Sequence, residues 1–82
     1  MDIVAKITDI VAQTVEEASG VRPELAADTA LLEDGHLDSL TTLQVFTNLQ
    51  TEFGVELDFD DLTEETFGSV QAIADLVSAR TA

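Results

Sequence analysis

Cysteine is missing from this 82-residue chain, as are tryptophan and tyrosine, and histidine occurs once. Without a thiol the chain has no disulfide and no thiolate chemistry of its own, and cysteine usage leaves its redox compartment open. One histidine argues against a zinc site built by the protein alone. Four phenylalanines are the only aromatics, so an aromatic ligand cage is not expected. Basic residues are nearly as scarce: three Lys and Arg face 17 Asp and Glu, a formal net charge of −14. That balance repels nucleic acid and anionic lipid and favours partners carrying positive patches. Long apolar runs are missing too. Asp2, Lys6 and Asp9 break up the first apolar residues, which excludes a signal-peptide core, and no stretch approaches membrane-spanning length. A cytoplasmic, monomeric domain with no nucleic-acid or membrane partner is the expectation.

What the chain does have is 45% hydrophobic residues, too many for a disordered composition. Residues 1–82 are read as one domain, which at this length buries only about 60–65% of its unfolded surface. The core is therefore modest, and a large enclosed active site is not expected.

Apolar spacing organises the chain into helices. Ile3, Ile7, Ile10, Val11 and Val15 recur by three and four, predicting a helix over 3–18. Asp2 is its expected cap and Gly20 its stop. From Val21 to Leu37 the period is lost, and a loop of this length is often functional. Leu25, Leu31 and Leu32 are expected to pin it to the core, with Asp28 and Thr29 in a local turn. A second helix starts at Ser39 with Asp38 as N-cap and ends at Gly54. On an ideal wheel Thr42, Phe46, Leu49 and Phe53 form its buried stripe, with Leu43 and Val45 at the edges. Leu40 falls roughly 150° away, on a water-facing side with Thr41, Gln44, Thr47, Asn48 and Thr51. A short third helix is predicted from Phe59 to Glu65, capped by Asp58 and stapled by Leu57 and Leu62. A last helix runs from Ser69 to Arg80 on Val70, Ile73, Leu76 and Val77, with Ser69 or Gly68 as its cap. All four phenylalanines are assigned to packing. The expected fold is all-α: a small four-helix bundle of three longer helices and one short one.

Three constellations invite a chemical reading. His36, Asp38 and Ser39 are the residue types of a nucleophilic triad, but a triad is a spatial relay, which three neighbours at one helix mouth rarely achieve. The acids Asp58, Asp60, Asp61, Glu64 and Glu65 suggest a calcium loop. An EF-hand needs a central glycine and a closing glutamate, and the corresponding positions are Thr63 and Ser69. These acids read instead as a solvated face that basic partners can use. Ser39 alone is an ordinary helix-start residue. Its conjunction with the off-core Leu40 is what singles it out.

The stretches L-E-D-G-H-L-D-S-L at Leu32 to Leu40, T-N-L-Q-T-E-F-G-V-E-L at Thr47 to Leu57 and F-D-D-L-T-E-E-T-F at Phe59 to Phe67 resemble the acyl carrier protein family. The similarity is greatest to discrete D-alanyl and aminoacyl carriers. The resemblance implies a carrier without catalysis of its own, holding 4′-phosphopantetheine covalently on Ser39. It implies a phosphopantetheinyl transferase, an ATP-dependent adenylating ligase and a downstream acyltransferase or synthase as partners, within a specialised, secondary-metabolite pathway. It also places partner recognition on Asp34, Asp38, Leu40, Thr41, Gln44 and Asn48. The chain departs from the fatty-acid carriers, whose second helix is strongly acidic on this face. It departs too from multidomain peptidyl carriers, where G-G-x-S surrounds the serine. A fatty-acid or polyketide carrier, or an unmodified acidic interaction module docking through Leu40, are the alternatives.

Overall fold

The computed structural model describes residues 3–81 and is helical, with three α-helices, one 3-10 turn and no strand among the described residues. Helix α1 spans Ile3–Ser19, α2 Ser39–Phe53 and α3 Val70–Thr81. The expected cap of α1, Asp2, lies outside the described residues. Ile7, Val11, Val45, Leu49, Val70, Ile73 and Val77 are fully buried at the centre of the bundle. Their spacing of three and four is what closes each helix onto the other two.

Helix ends follow local chemistry. Asp38 caps α2 by accepting from the Thr41 backbone N–H at 2.7 Å, and Gly54 closes it in the left-handed region with φ of +64°. Ser69 caps α3, its hydroxyl accepting from the Ala72 N–H at 3.1 Å. Between α2 and the 3-10 turn the chain has no regular secondary structure, and the Gln50 side chain holds it by accepting from the Leu57 N–H at 3.1 Å.

The long first loop is tied to the start of α3. Leu31, fully buried, donates its N–H to the Gly68 carbonyl at 2.8 Å, and Gln71 donates to the Ala27 carbonyl at 2.9 Å. Leu25 and Leu32 pack partly buried against the core, as their sequence positions suggest. Gly68 permits this seam, because a Cβ there would stand 2.6 Å from the Glu64 carbonyl oxygen.

The expected third helix is the main departure. Helical structure stops after one 3-10 turn, Phe59–Asp61, instead of running to Glu65. The cause lies in the threonines that follow. Thr63 Oγ1 accepts from the Thr66 N–H and Thr66 Oγ1 from the Thr63 N–H, each at 3.1 Å, so the hydroxyls take donors that a helix would have used. Asp61 is held by the Asp58 N–H at 3.0 Å and by Arg80 of α3 at 2.6 Å. Those contacts, with the backbone donor first, keep its carboxyl below the usual range. Phe59 also departs from its expected packing role: it is 75% exposed instead of buried, and its ring stacks on Phe46 at 5.7 Å between centroids.

Candidate functional site

The mouth of α2 is built from the loop and the first helical turn. Leu37 is buried and donates to the Leu31 carbonyl at 3.1 Å, which anchors the residue just before the cap. Asp38 then turns the chain into α2, leaving Ser39 exposed as its first residue. Among the described residues Ser39 Oγ has no hydrogen-bond partner. Two other serines differ: Ser19 Oγ bonds the Val15 carbonyl at 2.9 Å, and Ser69 Oγ caps α3. A hydroxyl with no internal partner, at a helix start and open to solvent, is available for modification by an external enzyme.

The mouth already holds one anion. The Thr41 backbone N–H, and next its hydroxyl, hold the Asp38 carboxyl below the usual carboxylate range. A lowered folded-state pKa means that the cap's contribution is complete above the unfolded value and is lost as pH falls through the folded one. The thermal midpoints of wild type and Asp38→Ala should therefore differ by a constant amount near neutrality. Below about pH 4 that gap should narrow. Thermal melts across pH check this, and a gap that is unchanged in acid would count against the capping role.

Leu40 is 66% exposed and Leu43 39% exposed, with Gln44, Thr47 and Thr51 open beside them. Thr41 and Asn48 correct the sequence reading. Thr41 is buried, and Asn48 is half-buried, donating through Nδ2 to Thr14 Oγ1 of α1 at 3.0 Å. Both expectations fail for one reason. The buried residues Thr41, Thr42, Val45, Phe46 and Leu49 centre the core stripe about 40° from the wheel's position, towards the flank that meets α1. Thr14 was missed by the sequence reading although it sits four residues after Ile10, and it is buried with its hydroxyl on the Ile10 carbonyl at 2.7 Å.

Asp34 is exposed in the turn leading to the mouth, its N–H bonded to the Ala30 carbonyl at 2.9 Å. His36 is half-buried, and among the described residues no hydrogen bond joins it to Asp38 or Ser39, so the triad arrangement is not formed. Nor does any cluster of acids and histidines capable of holding a metal occur among the described residues.

Ser39 also lines a groove of about 440 Å³, whose walls are mostly apolar (Leu32, Leu37, Leu43, Leu62 and Phe67) with Asp38, Thr42, Thr63 and Glu64 among them. All three basic side chains are engaged within the chain: Arg22 with Asp9, Arg80 with Asp61, and Lys6 over the Phe53 ring at 5.3 Å. With a formal net charge of −14 the domain as a whole is acidic, which favours basic partner surfaces.

A helical domain presenting an unengaged serine at a helix mouth, beside an apolar groove, is the architecture of a prosthetic-group carrier. Residues 3–77 match the family described as the phosphopantetheine attachment site, and the chain belongs to that family. No curated protein and no solved structure matches it. The family's group is 4′-phosphopantetheine, held covalently, and membership implies partner enzymes that attach the arm and use what it bears. The residues present fit that group: Ser39, exposed and without a side-chain hydrogen bond among the described residues, would offer the hydroxyl for a phosphodiester linkage. When bound, the arm supplies the thiol that the chain lacks. No helix among the described residues is long and apolar enough to cross a membrane.

Proposed function

We propose that the chain is a carrier that holds an aminoacyl or acyl group as a thioester on an arm attached to Ser39. An ATP-dependent adenylating enzyme loads it, and an acyltransferase or synthase of a specialised pathway unloads it. The observation that carries the reading is the exposed Ser39 hydroxyl, free of internal bonds, inside the L-D-S-L sequence context. The chain itself binds, presents and tethers. Tethering raises the effective concentration of the cargo for successive enzymes without releasing it.

The neutral outward face of α2 supports an aminoacyl assignment over a fatty-acid one. Leu40, Leu43 and Gln44 offer apolar and hydrogen-bonding contacts where a strongly acidic face would offer charge. Asp34 and Asp38 flank the tether and add a charged border, while Thr41 and Asn48 act on this surface only through packing behind it. Leu40→Ala should slow loading about tenfold, equivalent to about 1.4 kcal/mol of lost transition-state contact, while the thermal midpoint barely moves. Loading kinetics with the cognate ligase, alongside a melt, check both halves. A large drop in midpoint would mean that Leu40 serves the fold.

The apolar groove favours a second reading, a fatty-acid or polyketide carrier. Presenting the phosphopantetheinylated protein to a panel of amino-acid and carboxylic-acid adenylating ligases separates the two. Aminoacyl thioester formed with an amino-acid ligase supports the first reading. Loading only by fatty-acid or polyketide enzymes supports the second.

A further inference from the structure

Phe46 and Phe67 are buried and Phe53 is half-buried, whereas Phe59 stands in solvent. A phenylalanine left in water forgoes the stabilisation that burial supplies. The ring is nevertheless held in place. It stacks on Phe46 with 17° between the ring planes, and Phe46 in turn lies against Phe67 at 6.2 Å between centroids, so the three rings form a row from the core to the surface. The backbone around it is fixed as well. The Leu62 N–H donates to the Phe59 carbonyl at 3.0 Å, the Asp61 N–H to the Asp58 carbonyl at 2.8 Å, and the Asp61 carboxylate ties the turn to Arg80 of α3. An aromatic side chain held outward in this way meets a partner at little ordering cost.

Stacking on Phe46 covers one face of the Phe59 ring and leaves the other open. The face of an aromatic ring is negative and attracts cations. Glu56 and Asp60, close to Phe59 in the chain, are exposed, and neither side chain makes a hydrogen bond or ion pair among the described residues. No Lys or Arg of the chain is left to satisfy them: Arg22 is with Asp9, Arg80 with Asp61, and Lys6 lies over the Phe53 ring. A second copy of the chain, with the same net charge of −14 and the same committed cations, is repelled. An apolar partner side chain would cover the ring but would strip water from the carboxylates without pairing them. A guanidinium suits both features, because its plane stacks on a ring while its N–H groups fork onto carboxylates. An ammonium has no such plane.

We infer that Phe59 is a docking point for an arginine side chain of a partner protein, whose guanidinium stacks on the open ring face and bonds the carboxylates of Glu56 and Asp60. This is a narrower requirement than attraction between an acidic domain and a basic surface. Bulk attraction treats arginine and lysine alike and does not depend on the ring. Leu40 at the mouth of α2 and Phe59 at the 3-10 turn are then two separate recognition points, the first apolar and the second selective for a planar cation. The inference does not depend on the tether at Ser39 and holds for the unmodified chain.

The test uses the full unmodified chain and three blocked tripeptides with arginine, lysine or leucine between two glycines, titrated at low salt. Ring resonances of Phe59 and the backbone amides are followed by NMR. The arginine peptide should shift the Phe59 ring and the amides of Glu56 and Asp60, and should bind about threefold more tightly than the lysine peptide. Phe59→Leu keeps an apolar side chain without the ring face; it should weaken arginine binding about threefold and barely change lysine binding. Asp60→Asn should weaken both cationic peptides and flatten their dependence on salt. Equal binding of the arginine and lysine peptides to wild type, or shifts spread over the acidic residues without the Phe59 ring, would reduce the effect to bulk charge and overturn the inference. Leucine peptide bound as tightly as arginine would make the occupant apolar and overturn it too. The comparison in wild type needs no variant, so a Phe59→Leu protein that fails to fold leaves the question decided. None of these outcomes bears on modification at Ser39, which intact mass reads separately.

Discussion

Ser39→Ala protein incubated with coenzyme A and a broad-specificity phosphopantetheinyl transferase is expected to keep its unmodified mass, while the wild type gains one phosphopantetheinyl group. The loss should be complete, because no other side chain offers the same combination. Ser19 and Ser69 spend their hydroxyls on the Val15 carbonyl and on the cap of α3. Ser39 is exposed and makes no side-chain hydrogen bond among the described residues. Alanine is a good helix residue, and the cap belongs to Asp38, so the variant should melt close to wild type. A folded Ser39→Ala protein that is still modified would move the tether elsewhere.

Leu31→Ala should strongly destabilise the domain. Leu31 is fully buried although it lies in the long first loop, and its backbone links the Gly68 carbonyl to the Leu37 N–H at the mouth of α2. Truncating a buried leucine costs about 2–5 kcal/mol, a large share of the roughly 4–12 kcal/mol expected for a domain of this length. The midpoint should fall by about 10 °C or more. Loss of this anchor also frees the segment that presents Ser39, so phosphopantetheinylation should slow even below the melting range. Leu40→Ala provides the contrast, impairing recognition while sparing stability. A Leu31→Ala midpoint within a few degrees of wild type would show that the loop is not pinned through this residue.

These contrasts also show which features could be read from sequence. Strong apolar periods placed α1, α2 and α3 to within a residue or two, because Ile7, Val11, Leu49, Ile73 and Val77 have no other way to leave water. Asp38, Gly54 and Ser69 marked helix ends through local hydrogen bonding and backbone conformation, which need no tertiary context. The face of α2 was less legible. Threonine and asparagine count as polar on a wheel, yet Thr41 and Thr42 are buried and Asn48 pairs with Thr14 across the α1–α2 contact. Only the position of α1 reveals the rotated stripe. The third segment misled for the opposite reason. Its acidic start resembles a helix start, but reciprocal bonds between Thr63 and Thr66 end the helix after one turn, and Phe59 lies outside the core. The place of Ser39 as the exposed first residue of α2 followed from Asp38 before it, whereas the orphan hydroxyl of Thr42, buried without a hydrogen-bond partner, exists only in three dimensions.

Intact-mass and fragment mapping of the wild-type chain, after reaction with coenzyme A and the transferase, decides whether Ser39 is the tether. A single phosphopantetheinyl group is expected, with fragment ions placing it on Ser39. An unchanged mass, or an arm mapped to Ser19, Ser69 or Ser78, would contradict that assignment.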